Sequence, residues 1–77
     1  MKIDWREHIK TDPKVLVGKP AIAGTRIGVD LILEKLAMGS TIEQLLESYP
    51  HLSRVQIQAC LAYATDAVRN DIIFAAS

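Results

Sequence analysis

The sequence predicts a small, mainly α protein in which a short N-terminal β element precedes a three-helix body of the helix-turn-helix type. Three observations predict this class. An apolar stretch rich in Gly and Pro lies between Gly18 and Ile27; the residues after it are apolar at helical spacing; and capping signals divide them into three helices. Seventy-seven residues form one domain, because shorter pieces could not each bury a core. We divide it into an N-terminal arm and β loop, 1–28, and a helical body, 29–77.

The arm begins with one predicted helical turn. Asp4 and Glu7 have the spacing of a capping box, and Trp5 and Ile9 are four residues apart, so the turn would pack them together. Asp12-Pro13 then breaks the helix. We interpret Trp5 as an anchor for the arm, with an interface anchor as the alternative.

The stretch 18–27 reads Gly-Lys-Pro-Ala-Ile-Ala-Gly-Thr-Arg-Ile and is typical of a compact turn. We expect residues 15–17 to enter it and Ile27 to leave it, as two short strands closing a hairpin-like loop. Gly18 and Gly24 are the natural positions for a positive φ, and Pro20 removes one backbone donor.

The first helix is predicted over residues 29–38 and ends at Gly39, a C′ glycine. Its inward positions follow the amphipathic pattern and are Val29, Ile32, Leu33, Leu36 and Ala37. A capping box formed by Ser40 and Glu43 predicts a second helix that runs to about Tyr49.

Pro50 ends the second helix, and Ser53 caps a third with Gln56 placed to complete the box. The third helix is predicted from Arg54 to roughly Ile72. Small residues on it would let another helix approach, namely Ala59, Ala62, Ala64 and Ala67. The tail 72–76 is wholly apolar, and we expect a second copy of the chain to cover it, which predicts a homodimer.

Charge is balanced overall, with nine basic and nine acidic residues, but not locally. Residues 1–26 carry six basic and three acidic side chains, whereas residues 27–77 carry three basic and six acidic ones. Because phosphate contacts dominate DNA affinity, an acidic helical body disfavours DNA binding and favours a protein partner with a basic surface.

The residue types argue against catalysis. His8 and His51 are not paired with Cys60 at metal-ligand spacing, and Ser40 and Ser53 are explained as helix caps. The stretch 18–24 lacks the Lys-Ser/Thr ending of a phosphate loop. We therefore expect no enzyme activity, no metal, no cofactor and no small-molecule substrate.

The same composition predicts a location. No run approaches the roughly 18 apolar residues of a membrane span, and the first seven residues have no signal-peptide core. The single cysteine cannot form an intramolecular disulfide, so we expect a cytoplasmic protein without a membrane partner.

Several motifs carry a resemblance to a known family. Asp12-Pro13, Gly18-Lys19-Pro20, Gly24-Thr25-Arg26, Gly39, Tyr49-Pro50 and Ala62-Tyr63-Ala64 together resemble the DUF433 family of small prokaryotic proteins. The resemblance implies a homeodomain-like helix-turn-helix fold and an antitoxin-like partner of PIN-like nucleases. The sequence departs from the family at Gly28, where Pro is usual.

Two sets of candidate residues follow. If the second and third helices form a helix-turn-helix, Arg54, Gln56 and Gln58 would face base edges of operator DNA, and Lys19 would add a phosphate contact.

For a toxin partner, the candidates are Arg26, Ile73 and Phe74. Arg26 would bind a carboxylate, either across the interface or within the fold, for example on Glu34. The resulting prediction is a non-catalytic antitoxin-like protein that neutralises a PIN-like ribonuclease. The alternatives are a DNA-binding repressor and a purely structural interaction module.

Overall fold

A computed structural model describes residues 2–70 of the chain. Two short strands, β1 (Ile9–Lys10) and β2 (Ala21–Ile22), precede three helices, α1 (Val29–Ala37), α2 (Ile42–Ser48) and α3 (Arg54–Arg69). Two 3-10 turns, Trp5–Glu7 and Leu16–Gly18, flank β1 and β2 on their N-terminal sides. The predicted mainly helical class, with a small β element before three helices, is confirmed.

The β element is an antiparallel hairpin with Ile9 opposite Ile22 and Lys10 opposite Ala21. On the other side of β2, the Ile22 amide donates to the Ile27 carbonyl at 2.9 Å, and Ala21 forms an isolated bridge with Gly28. Strand β2 is therefore paired along both edges, and the segment at Ile27 pairs with β2 and not, as the sequence had predicted, with residues 15–17.

The predicted strand at 15–17 is wrong. Val15 forms only an isolated bridge with Asp12, and the next two residues have left-handed backbone angles, with φ of 50° at Leu16 and 57° at Val17. A left-handed backbone cannot continue a strand, which requires φ near −120°. Strand β1 instead comes from Ile9–Lys10, earlier in the chain.

Helix α1 ends in a Schellman motif, as its glycine predicted. Gly39 has φ of 104°, its amide donates to Leu36 O at 3.1 Å, and the Ser40 amide donates to Lys35 O at 3.0 Å. Because Ser40 belongs to this motif, it does not cap α2. The capping box instead joins Thr41 and Gln44, one residue later than predicted.

Helix α3 begins as predicted, because Ser53 and Gln56 form a complete capping box. It ends at Arg69, with Asn70 as its C-cap, rather than near residue 72. The helix contacts α1, α2, β1 and the first 3-10 turn, so it is the central element of the fold.

The core forms where β1, β2 and the three helices meet around α3. Its buried members are Ile9, Ile22, Val29, Ile32, Leu45, Leu52, Ile57, Ala59 and Cys60. Ala59 and Ala62 are buried within the chain itself, so these two small residues serve internal packing rather than the approach of a second copy. Ala67, by contrast, is exposed.

The arm before β1 is held against α3. The turn Trp5–Glu7 is a 3-10 helix in which Asp4 accepts from the Arg6 amide, so the full Asp4–Glu7 capping box does not form. The Trp5 ring packs edge-on against Tyr63, with ring centroids 4.8 Å apart. Trp5 is thus an anchor for the arm, as predicted, although its aromatic contact is on α3.

Within residues 2–70, no helix has the length and apolar character required to cross a membrane.

Candidate functional site

The segment that follows β2 is a tight turn. The Thr25 amide donates to the Ile22 carbonyl at 3.0 Å, and Gly24, at the third position of the turn, has φ of 78°. A positive φ at this position is the requirement of a type II turn, and only glycine meets it without strain. Gly24 is therefore needed for the direction in which the chain leaves β2.

The hydroxyl of Thr25 closes this turn at its base. It donates to the Ile22 carbonyl at 2.7 Å and accepts from the Ile27 amide at 3.0 Å. One side chain thus joins the end of β2 to the returning segment. Residues 23–26 form a short loop closed by both backbone and side-chain hydrogen bonds, which limits the conformations open to Arg26.

Arg26 lies at the outer side of this loop and is exposed. Among residues 2–70, no ion pair or hydrogen bond involves its guanidinium, so the contact with Glu34 that the sequence also allowed is not formed there. Gly24 and Thr25 therefore build the loop, and Arg26 is the residue that the loop presents.

A surface groove of about 460 Å³ lies beside Arg26. It is lined by Lys10, Asp12, Val15 and residues 21–26. Two exposed cations, Lys10 and Arg26, contribute to it, together with the Asp12 carboxylate and small apolar side chains from β2. The Lys10 ammonium also donates to the Arg6 carbonyl at 3.0 Å, which restrains its position. The charged residues that line the groove are therefore two cations and one carboxylate.

Lys14 and Lys19 extend the positive charge beyond the groove. Both side chains are exposed in the connection between β1 and β2, and neither is in an ion pair within the described part of the chain. Asp12 is the acidic residue of this connection, and it accepts from the Lys14 amide at 2.9 Å. The hairpin end of the molecule is therefore basic, in keeping with the uneven charge of the sequence.

The predicted DNA-reading residues lie at the start of α3, but two of them already have contacts within the chain. Arg54 Nη2 lies 3.1 Å from Glu43 Oε2 of α2, and the Gln56 side chain accepts from the Ser53 amide at 2.8 Å. Gln58 is half-buried. Lys19 lies in the connection between β1 and β2, on a different element from these three.

Sequence reasoning missed the partners of Trp5. The indole nitrogen donates to Asp66 Oδ2 at 2.7 Å, and the Arg6 guanidinium lies 4.5 Å from the centre of the Trp5 ring. Asp66 is 61 residues from Trp5 in the sequence, so no local pattern could have indicated this pair. The cluster is a structural attachment of the arm to α3.

The remaining candidates for chemistry do not come together in the described residues. His8 is half-buried and His51 exposed, and residues 2–70 contain no group of three His, Cys, Asp or Glu side chains placed to hold a metal ion. Burial raises the pKa of the Cys60 thiol to about 11, so this thiol is protonated at neutral pH. Ile73 and Phe74, predicted to bind a partner, lie outside the described residues.

The fold is that of a small, mainly helical domain whose β element carries a basic surface groove. The chain belongs to the family described as "Protein of unknown function (DUF433)", which matches residues 9–64. The matched region contains the groove, Arg26, and the first two helices, and it ends two residues before Asp66.

One relative is the uncharacterized protein y4eO of Sinorhizobium fredii (strain NBRC 101917 / NGR234), which is 34% identical over 59 residues. The match covers 77% of this chain and 27% of the relative, so the chain spans about a quarter of that protein's length. No solved structure shows significant similarity to the chain.

Proposed function

We propose that the protein is a non-catalytic, antitoxin-like protein that binds and neutralises a PIN-like ribonuclease. The observation that carries the proposal is the presentation of Arg26. Its guanidinium is exposed on a loop closed by Thr25, without an ion pair among residues 2–70. The nature of the partner comes from the family resemblance of the Gly-Lys-Pro and Gly-Thr-Arg motifs.

The chemistry of the partner makes an arginine a suitable inhibitor. Nucleases that depend on divalent metal ions hold them with clustered carboxylates. A guanidinium forms two parallel hydrogen bonds with a carboxylate and keeps its positive charge at every physiological pH. We propose that Arg26 enters such a cluster and occupies the position that a metal ion would otherwise take.

The residues around Arg26 also favour this end of the molecule as the surface that faces the ribonuclease. The groove beside it adds Lys10 and the apolar residues Val15 and Ala21, and the exposed Lys14 and Lys19 lie in the adjacent connection. An acidic active-site rim would be attracted to this end of the molecule, which increases the rate of association more than the final affinity.

The experiment that tests the proposal is co-expression with the neighbouring open reading frame, followed by affinity capture and light scattering of the eluted material. We expect a stable complex whose partner degrades RNA only after it is separated from this chain. A chain that elutes alone, with a neighbouring product that neither binds it nor cleaves RNA, would contradict the proposal.

A DNA-binding repressor is the second candidate, because the Arg54 side chain is 52% exposed at the start of α3 although it contacts Glu43. Exchange of that ion pair for phosphate or base contacts costs little, since surface ion pairs contribute about 0–1 kcal/mol. Arg54→Ala combined with Gln58→Ala would abolish operator binding and leave ribonuclease binding unchanged. Gln56 is unsuitable for this test because its substitution would also remove the acceptor of the Ser53 amide in the α3 capping box.

A homodimer and a cytoplasmic location belong to the same proposal. On α3, Leu61 is 41% exposed and Val68 is 69% exposed, which supports contact between copies along this face. Light scattering of the isolated chain tests the dimer directly, and Val68→Asp would shift it to the monomer mass if this face forms the contact.

A further inference from the structure

Val17 is an apolar side chain in an unusual position. It is 93% exposed, the highest value among the large apolar side chains of the described residues. A single exposed valine needs no explanation by itself, because apolar atoms form much of any protein surface. Its backbone conformation, however, gives a second and independent observation.

Val17 has φ of 57° and ψ of 39°, between Leu16 at φ 50° and Gly18 at φ 81°. The left-handed conformation is unfavourable for any side chain with a β-carbon, and most so for a β-branched one. Asn or Gly would adopt the same angles with much less strain. Val17 therefore combines backbone strain with solvent exposure, and at 93% exposed it packs little against the other residues of 2–70.

The turn is fixed by its neighbours. The Gly18 amide donates to Val15 O at 3.0 Å and the Lys19 amide to Leu16 O at 3.1 Å. Leu16 is half-buried, and its Cδ1 would lie 3.3 Å from a β-carbon on Gly28, so the absence of a side chain at Gly28 leaves room for it. With Leu16 held inward, Val17 is held outward.

Positive charge surrounds this position. Lys14 and Lys19 are exposed within three residues of Val17, and neither is in an ion pair among residues 2–70. A branched aliphatic side chain needs an apolar pocket, which nucleic acid phosphates do not offer, and two nearby ammonium groups are attracted to carboxylates. The complementary surface is thus an apolar pocket with an acidic rim on a protein.

We propose that Val17 inserts into an apolar pocket, bordered by carboxylates, on the ribonuclease partner. This inference rests on the proposed function and adds a second contact to that of Arg26. The strained turn places the side chain outward before binding, so no ordering of the loop is needed at the moment of association.

The test measures the affinity of the purified ribonuclease for the full chain by isothermal titration calorimetry, with three variants. Val17→Asn suits the left-handed angles and removes the apolar group; Val17→Thr keeps the branched shape and the strain but adds a hydroxyl. Met38→Asn is the control, because it removes an apolar side chain that is 80% exposed at the end of α1. Because Val17→Asn relieves backbone strain, we expect its melting temperature to equal or exceed that of the wild type. This measurement verifies that the variant is folded.

We expect Val17→Asn, which loses the apolar side chain, and Val17→Thr, which places a hydroxyl in the apolar pocket, each to weaken binding by about tenfold or more. We expect Met38→Asn to leave the affinity unchanged. Wild-type affinity in both Val17 variants would overturn the inference and leave the proposed function standing. A wild-type chain that does not bind the ribonuclease at all would overturn both.

Discussion

The Thr25 hydroxyl donates a hydrogen bond of 2.7 Å to the Ile22 carbonyl, so the loop that presents Arg26 is closed by a side chain as well as by the backbone. The same oxygen accepts from the Ile27 amide. The hydroxyl thus joins the end of β2 to the Ile27 amide, and the position of the exposed arginine depends on this link.

Thr25→Val retains the shape of the side chain and removes both hydrogen bonds. We expect it to lower the free energy of unfolding by about 1–2 kcal/mol, because it leaves the Ile27 amide without its partner. Thr25→Ser is the matched control, since it keeps the hydroxyl, and it should remain closer to the wild type. Urea denaturation followed by circular dichroism measures both, and equal losses in the two variants would show that the hydroxyl is not the reason for the effect.

The attachment of the arm is tested at Trp5. Trp5→Phe removes the donor to Asp66 while an aromatic ring still packs against Tyr63, and we expect it to cost about 1–2 kcal/mol, near the range for a hydrogen bond to a charged acceptor. Asp66→Ala in the wild-type and Trp5→Phe backgrounds completes a double-mutant cycle. If the two substitutions are additive in urea denaturation, the indole and carboxylate do not interact in solution.

Gly28 has φ of −71° and ψ of 146°, which are angles that proline adopts readily. Its amide donates no backbone hydrogen bond among those described. Only the Asp30 carboxylate, which accepts from the Leu31 amide, and Leu16 Cδ1 lie close to where a β-carbon would be. We expect Gly28→Pro to raise the free energy of unfolding by about 0.4–1 kcal/mol, since it restricts the unfolded chain. The orientation of α1 should not change.

Thermal unfolding measures the effect of Gly28→Pro in two backgrounds, the wild type and Asp30→Ala. The alanine removes the carboxylate that would crowd the proline ring. A loss of stability in both backgrounds would show that the crowding at Leu16 outweighs the entropic gain.

Cys60 gives a prediction on pH. Burial raises the pKa of its thiol from 9.0 to about 11, so between these values the folded state binds more protons than the unfolded chain. Stability is therefore expected to fall as pH rises from 9 towards 11. Urea midpoints of the wild type and Cys60→Ala isolate this contribution, because the alanine variant should fall less steeply. The native thiol should also react slowly with a disulfide reagent at pH 8, and rapid labelling under native conditions would contradict its burial.

The helices could be predicted from the sequence because their signals are local. Apolar residues four apart, a glycine at position 39 and the Ser53–Gln56 box are read within a few residues of one another, and the structure confirms them. The N-cap of α2 lies one residue later than predicted. Ser40 could have capped α2, but its amide belongs to the Schellman motif that ends α1.

The β element was harder to predict from the sequence, because its strands are only two residues long and depend on contacts that are distant in sequence. Residues 15–17 have strand-like composition, yet the docking of Leu16 near Gly28 and the bond from the Val15 amide to Asp12 turn the chain left-handed there. Arg26 was identified as a candidate from sequence, whereas the exposure of Val17 and the Trp5–Asp66 pair required the tertiary structure.

In the proposed complex, Arg26 inhibits the ribonuclease by binding carboxylates of its active site. The most direct measurement is the residual cleavage of a labelled RNA by the purified ribonuclease, titrated with the wild type, Arg26→Ala and Arg26→Lys. We predict complete inhibition by the wild type, loss of inhibition by Arg26→Ala, and weak inhibition by Arg26→Lys, which keeps the charge without the bidentate geometry. Inhibition by Arg26→Ala equal to that of the wild type would contradict the account.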